Sequence, residues 1–444
     1  MTDLIGFPEQ VYGCLTKRQD ALFEILDAVC CPVVVASLAH LSLADRHQRR
    51  HGSVYAALVH GRIDVERLRQ ELVLARDPSW PLVFGVDAST WCRCDAECSP
   101  ERGYYHHPSR HSAGQPIVAG WCYSTLAQLN FETDSWTDPL DVVRVDPRPQ
   151  AAGINQVAAG QIRGLLELLG RTQEVAWFVF DGGYDPVQLS VELAGAPAQI
   201  LVRIKSDRIF CFPPGPREPG RPGPPRRHGA KFRCADAASW PEPDQVWLTC
   251  DPMYGTVTVA AWRDLHPMQR TYRQQDGALV IVPGTLVRVQ VERLPGRIER
   301  EAKTLWLWWA GPEGIACDLD VAWRAYVRRF DLEHTFRFVS QVLGWRVPKV
   351  RTPEQADRWT WLIITAYTML RLARSLVGEH RLPWQRPLPV HRRTPGRVRR
   401  GFGHLLACIG TPARPPQPCG RPPGRPKGRR SKPAQRHPAI KKRA

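Results

Sequence analysis

Residues 174–185 read EVAWFVFDGGYD, and this stretch constrains the fold more than any other. A strongly apolar run is halted by Asp181, Gly182 and Gly183, so it reads as a strand ending in a turn. A helical pattern precedes it in INQVAAGQIRGLLELLG, and a helix-like VQLSVEL and a further strand, QILVRIK, follow. Upstream, PLVFGVDAS reads as a short buried strand running out at Asp87, and PIVAGWCYSTLAQL and SWTDPLDVVRV as the next two strands. Three strands, a helix, a strand, a helix and another strand predict a mixed α/β sheet of ribonuclease H-like character.

Residues 1–80 read as a helical unit. ALFEILDAV, LADRHQRRHGSVYAALV and DVERLRQELVLA place apolar residues at three- and four-residue steps, and Asp64 suits an N-cap. The Arg- and His-rich RHQRRHG favours phosphate contacts, so a compact DNA-binding domain is expected here, with a purely structural helical prefix as the alternative. The first part of the core then spans 81–205. PPGPREPGRPGPP cannot be regular structure; beyond it VWLTC, TVTVAAW, ALVIVPG, LVRVQVERL and TLWLWWA read as strands, a β-rich insertion over 206–311. The core resumes over 312–380 with a long amphipathic helix and a second helix, EQADRWTWLIITAYTMLRLARSLV.

The net charge is +18, and residues 381–444 alone hold 18 Lys and Arg with no Asp or Glu. The whole excess therefore sits in one tail, which points to a polyanion partner, most simply nucleic acid. Thirteen prolines in that tail argue against a packed fold, so a disordered basic tail is expected. Gly424-Arg425-Pro426-Lys427-Gly428 resembles an AT-hook, with Arg425 and Lys427 meeting the DNA backbone. No apolar run approaches the ~18 residues that span a bilayer, and the start MTDLIGFPEQ lacks the pattern of a secretion signal. No membrane role and a cytoplasmic, nucleoid-associated location are the expectation. The 13 cysteines are expected as free thiols, because WCRCDAEC lacks the paired spacing of a zinc site.

Within YVRRFDLEHTFRFVS, Tyr326, Arg329, Glu333 and Ser340 are spaced by three, four and seven residues, which returns them to one side of a helix. Glu333 as a metal ligand, with Tyr326 and Arg329 around a phosphate, would explain that file. Asp87 and Asp181 at strand ends supply two further carboxylates, and binding residues converge at such ends. Three oxygen-bearing ligands suit two Mg²⁺ or Mn²⁺ ions, which activate a nucleophile and stabilise the leaving oxygen of a phosphodiester.

The segments GVDAST, FDGGYD and YVRRFDLEHTFRFVS resemble bacterial insertion-sequence transposases of the DDE type, in the branch marked by Tyr-x2-Arg-x3-Glu-x6-Lys. LGWRVPKVRTPEQADRWTWLIITAYTMLRLAR, SRHSAGQPIVAGW and HGSVYAALVHGRIDVERLR share the likeness. The resemblance implies that Asp87, Asp181 and Glu333 form the metal-binding triad and that Tyr326 and Arg329 contact the DNA end. It implies cutting at terminal repeats, joining to target DNA, and a homodimer on paired double-stranded ends. It also implies an aromatic residue of the insertion that receives a flipped base, with Trp308 or Trp309 as candidates against a reading of both as buried strand residues. Ser340 departs from the signature lysine, and Arg337 is the neighbour able to substitute. A catalytically decayed DNA-binding protein and a nuclease that cuts without joining are the alternatives.

Overall fold

A computed structural model of the chain describes residues 4, 6–106, 116–216, 226–268, 280–295, 303–418, 428 and 433–441. The chain divides into two compact bodies. One comprises Met1–Ser79, Ala88–Gly153 and Asp331–Ala444, the other Trp80–Asp87 and Ile154–Phe330.

The second body is built on the sheet that the apolar runs predict. Strand Ala176–Phe180 is buried at every residue, as a strand flanked on both edges and covered on both faces must be. It pairs in parallel with the first part of strand Val83–Cys92, from Val83↔Trp177 to Val86↔Phe180, and on its other edge with Ala198–Ile204. Parallel neighbours need a crossover, and helix Pro186–Glu192 supplies it. Asp185 starts that helix by accepting from the N–H groups of Val187 and Gln188 at 2.9 and 3.0 Å, with Pro186 next in line. Helix Ile154–Leu169 buries Ala158, Ala159, Ile162 and Leu165 along one stripe.

The region read as an insertion extends this same sheet instead of forming a domain of its own. Strand Leu305–Ala310 returns antiparallel to Ala198–Ile204, with Trp306 opposite Ile204. Gly284–Val291, Gly255–Pro267, Ile209–Cys211 and Lys231–Arg233 then follow in that order toward the edge. Gln245–Asp251 forms a hairpin with Gly255–Pro267. Phe210, Phe232, Trp262, Trp306 and Trp308 pack together as the core of this part. The described part of ALVIVPG is not a strand: residues 280–283 are irregular and the strand begins at Gly284. Pro283 has no N–H to give a ladder, which sets that boundary.

In the first body, strand Ile117–Leu129 pairs antiparallel with Gly103–His106 along residues 117–120 and with Thr137–Val145 along residues 122–129. Helix Pro353–Leu372 packs against Thr137–Val145; it opens with a capping box between Thr352 and Gln355. Its Asp357 accepts from the Tyr123 hydroxyl at 2.8 Å and from Arg144 Nε at 3.0 Å. The N-terminal helices form as expected, and Asp64 caps Val65–Leu74 by accepting from Arg67 N at 3.1 Å. They are not a separate domain, however. Helix Gln19–Cys30 buries every residue from Ala21 onward and packs on Pro353–Leu372, and Arg358 donates to the carbonyls of Leu58 and Val59 at 2.8 and 3.1 Å. Within RHQRRHG, His47 is buried and Arg49 pairs with Glu24, which leaves Arg46, Arg50 and His51 exposed.

The expectation of a disordered tail from 381 onward fails for its first part. Helix Pro395–Ile409 buries Val398, Phe402 and Leu406, an i, i+4, i+8 stripe that the surrounding arginines conceal in a composition count. Arg399 is itself buried and donates to the carbonyls of Val29 and Val33 at 2.9 and 2.8 Å. Phe402→Ala should therefore destabilise the chain by about 3–5 kcal/mol, read by urea denaturation. A change within about 0.5 kcal/mol would show that the helix is not part of the folded core.

Candidate active site

The parallel ladder between Val83–Val86 and Trp177–Phe180 ends with the pair Val86↔Phe180. The next residue on each strand is an aspartate, Asp87 and Asp181. Neighbouring strands lie ~4.8 Å apart, so the last rung delivers two carboxyl-bearing residues side by side. Asp87 does not close its strand as the sequence suggests: the strand continues to Cys92. What ends there is the pairing with Ala176–Phe180. Asp181 does begin a turn, and its Oδ1 accepts from Gly183 N at 2.8 Å, which orients the carboxyl group.

Arg329 is buried against this pair. Its Nη1 donates to Asp87 Oδ2 at 3.0 Å, and the two side chains are 4% and 15% exposed. Burial works against the guanidinium's charge, but attraction to Asp87, with Tyr326 and Asp181 adding, outweighs it and holds Arg329 above its ordinary range. The guanidinium also lies 5.5 Å from the Tyr326 ring centroid and 5.0 Å from that of Phe330. Tyr326 is 2% exposed. Neither side chain is thus an open grip for a phosphate, contrary to expectation; Arg329 is engaged with a carboxylate and Tyr326 packs beside it.

The long helix of the sequence reading is two helices, Leu319–Arg328 and Phe330–Gln341, with Arg329 between them at φ −55°, ψ −30°. Helical dihedrals at the junction carry the periodicity through the break. Glu333 stands in the first turn of the second helix, where the helix dipole favours a carboxylate, and its residue is exposed, as is Arg337 one turn on. Ser340 is half-buried on the same face. Glu333, Arg337 and Ser340 belong to the first body, Asp87, Asp181, Arg329 and Tyr326 to the second. Arg425 and Lys427 lie outside the described residues.

Trp308 and Trp309 are interior. Trp308 is fully buried and stacks on Phe210 at 5.3 Å, and Trp309 is 6% exposed and donates from Nε1 to Gln199 Oε1 at 3.3 Å. The tryptophan that does reach the surface of this sheet is Trp247, 43% exposed on strand Gln245–Asp251.

Asp87 and Asp181 offer an oxygen-only donor set beside one buried cation. Such a set fits a hard divalent ion of the Mg²⁺ or Mn²⁺ kind and not a thiophilic one.

A family model described as DDE superfamily endonuclease matches residues 10–268, which includes both aspartates. No curated protein matches the chain. Seven chains of solved structures do; among them is the cryo-EM structure of a piggyBac transposase synaptic complex with hairpin DNA. The match covers 89% of this chain and 73% of that one at 9% identity, with a TM-score of 0.41.

The Asp87–Arg329 pair makes a stability prediction without divalent ions. Asp87→Asn and Arg329→Met should each destabilise the chain by about 3 kcal/mol, since each removes one charge of a largely buried ion pair. The double variant should fall short of their sum by at least about 1 kcal/mol. Strict additivity in urea denaturation would contradict the pairing.

Proposed function

The chain belongs to the DDE superfamily endonuclease family, and from that premise we propose that it is a DNA transposase of the insertion-sequence type that cuts element ends and joins them to target DNA. The observation that carries the reading is the pair of aspartates following the last rung of two adjacent parallel strands, inside the segment that matches the family.

In this reading Asp87 and Asp181, joined by Glu333, hold two Mg²⁺ or Mn²⁺ ions. Bound there, the ions would supply an activated water or 3′-hydroxyl and a stabilised leaving oxygen at a backbone phosphate. Arg329 acts as a positioning residue: its Nη1 fixes the direction of Asp87 Oδ2 and balances charge where two carboxylates would otherwise repel. The turn N–H of Gly183 does the same for Asp181 Oδ1. Tyr326 walls Arg329 from water and so strengthens its pull on Asp87. Double-stranded DNA is the partner, and two ends held by a homodimer the assembly.

The DNA flanking the coding region supplies the terminal repeats for the test. Full-length protein with that DNA and Mg²⁺ should nick the repeats and transfer the freed end into a target plasmid. Asp87→Ala, Asp181→Ala and Glu333→Ala should each lose at least about 100-fold in cleavage, more than loss of an outer-shell partner removes, while DNA binding in a mobility-shift assay persists. Shifted but uncut DNA with the unaltered protein would refute the enzyme, and cleavage without joining would refute the transposase.

Ser340 supplies a second experiment. Ser340→Lys should raise the rate of end processing by restoring a cation to the helix face that carries Glu333 and Arg337. An unchanged rate would assign that charge to Arg337, already exposed one turn earlier.

A further inference from the structure

Outside the carboxylate site, three metal-ligating side chains that no sequence motif connects converge in the extended part of the second body's sheet. Cys211 ends strand Ile209–Cys211 and sits directly opposite His266 across the antiparallel ladder. Residues opposite one another on such a ladder bring their Cβ atoms within ~5.5 Å. His228 arrives from the chain that folds back from Cys211 toward strand Lys231–Arg233. Two backbone bonds lock that fold-back: Phe212 N to Ala230 O at 3.0 Å and Gly229 N to Phe212 O at 2.8 Å. Gly229 permits it, since a Cβ there would lie 2.2 Å from Pro213 O. His228 is consequently held over the Cys211–His266 rung by the backbone beside it.

The Cys211 Sγ and one nitrogen from each imidazole all lie within 4.8 Å of one another. His228 Nδ1 and His266 Nε2 are 2.8 Å apart, with the rings stacked at 5.0 Å. Cys211 and His266 are buried, whereas His228 is half-exposed and gives access from solvent. A hydrogen-bonded histidine pair would account for two of these groups. It does not account for a thiol placed within reach of both nitrogens.

We propose that Cys211, His228 and His266 form a zinc site that ties the strand ends Ile209–Cys211 and Gly255–Pro267 to the fold-back before Lys231–Arg233. Tetrahedral zinc takes sulfur at ~2.3 Å and imidazole nitrogen at ~2.0–2.1 Å, so its ligand atoms stand roughly 3.3–3.6 Å apart. The present spacing brackets that range. Zinc enters as the thiol proton leaves and the proton between the imidazoles moves to the other nitrogen of its ring, so both bind as neutral ligands, and the two nitrogens separate by about half an ångström. A water fills the fourth position. Thiolate and imidazole donors favour zinc over Mg²⁺ or Mn²⁺, so this site and the aspartate pair take different metals and are separable in one protein.

The test uses the reduced, metal-free full chain in excess Mg²⁺, titrated with Co²⁺ as a spectroscopic stand-in for zinc. The expected result is a sulfur-to-cobalt charge-transfer band in the near ultraviolet with tetrahedral d–d bands, saturating at one equivalent and bleached by zinc. His228→Ala and Cys211→Ser should each weaken binding at least about tenfold. His228→Ala is the safer of the two because its side chain is half-exposed, and circular dichroism confirms its fold. The Asp87→Ala, Asp181→Ala double variant should keep the sulfur band in full. No cobalt binding, binding without a sulfur band, or a band that survives both His228→Ala and Cys211→Ser would overturn the proposal. Loss of the band in the double aspartate variant would overturn its independence from the carboxylates.

Discussion

Four rungs of parallel ladder, Val83–Val86 against Trp177–Phe180, fix the relation on which the rest of the second body depends. A parallel pair runs both strands out at the same end, so residues following the last rung emerge together. A one-residue slip would turn every side chain of a strand to the opposite face, into packing shaped for different side chains. The register that places Asp87 beside Asp181 is therefore held by Val83, Phe84, Val86, Phe178, Val179 and Phe180, all buried. Hydrophobic packing, and not the carboxylates themselves, sets the spacing of the carboxylates.

That arrangement raises an electrostatic problem, which Arg329 answers. Carboxylates side by side in partly buried surroundings repel. A guanidinium at 3.0 Å from Asp87, whose own charge is favoured by both aspartates, offsets that repulsion. Burial of Arg329 is affordable only with such partners. Its position between two helices, after Arg328 and before Phe330, aims the side chain from a helix end. The Tyr326 and Phe330 rings then close around it.

What the sequence disclosed, and what it withheld, follows from the range of each interaction. Strand Ala176–Phe180, helix Ile154–Leu169 and the stop at Asp181 were legible because apolar runs and turn residues act within a few positions. Asp87 was legible as a candidate, although its strand runs on to Cys92. The Asp87–Arg329 pair was not, for its members are 242 residues apart and only the assembled sheet joins them. The break at Arg329 left no trace, because a single residue with helical dihedrals keeps the period intact. Cys211, His228 and His266 share no motif spacing, and their meeting depends on a cross-strand register. Helix Pro395–Ile409 was missed for another reason: its buried stripe of Val398, Phe402 and Leu406 lies among arginines, and net charge averages over faces.

The same helix changes how the charge excess is to be understood. Arg399 spends its donors on the carbonyls of Val29 and Val33, and Arg400 donates to the His380 carbonyl and the Gln385 side chain. Arg397 pairs with Glu379. Carbonyl acceptors leave a guanidinium's charge in place, so Arg399 and Arg400 still contribute to the positive field of this region. Only Arg397 is offset by an opposite charge. Arg397, Arg399 and Arg400 thus hold parts of the fold together, whereas Arg386 and Arg392 before the helix are exposed.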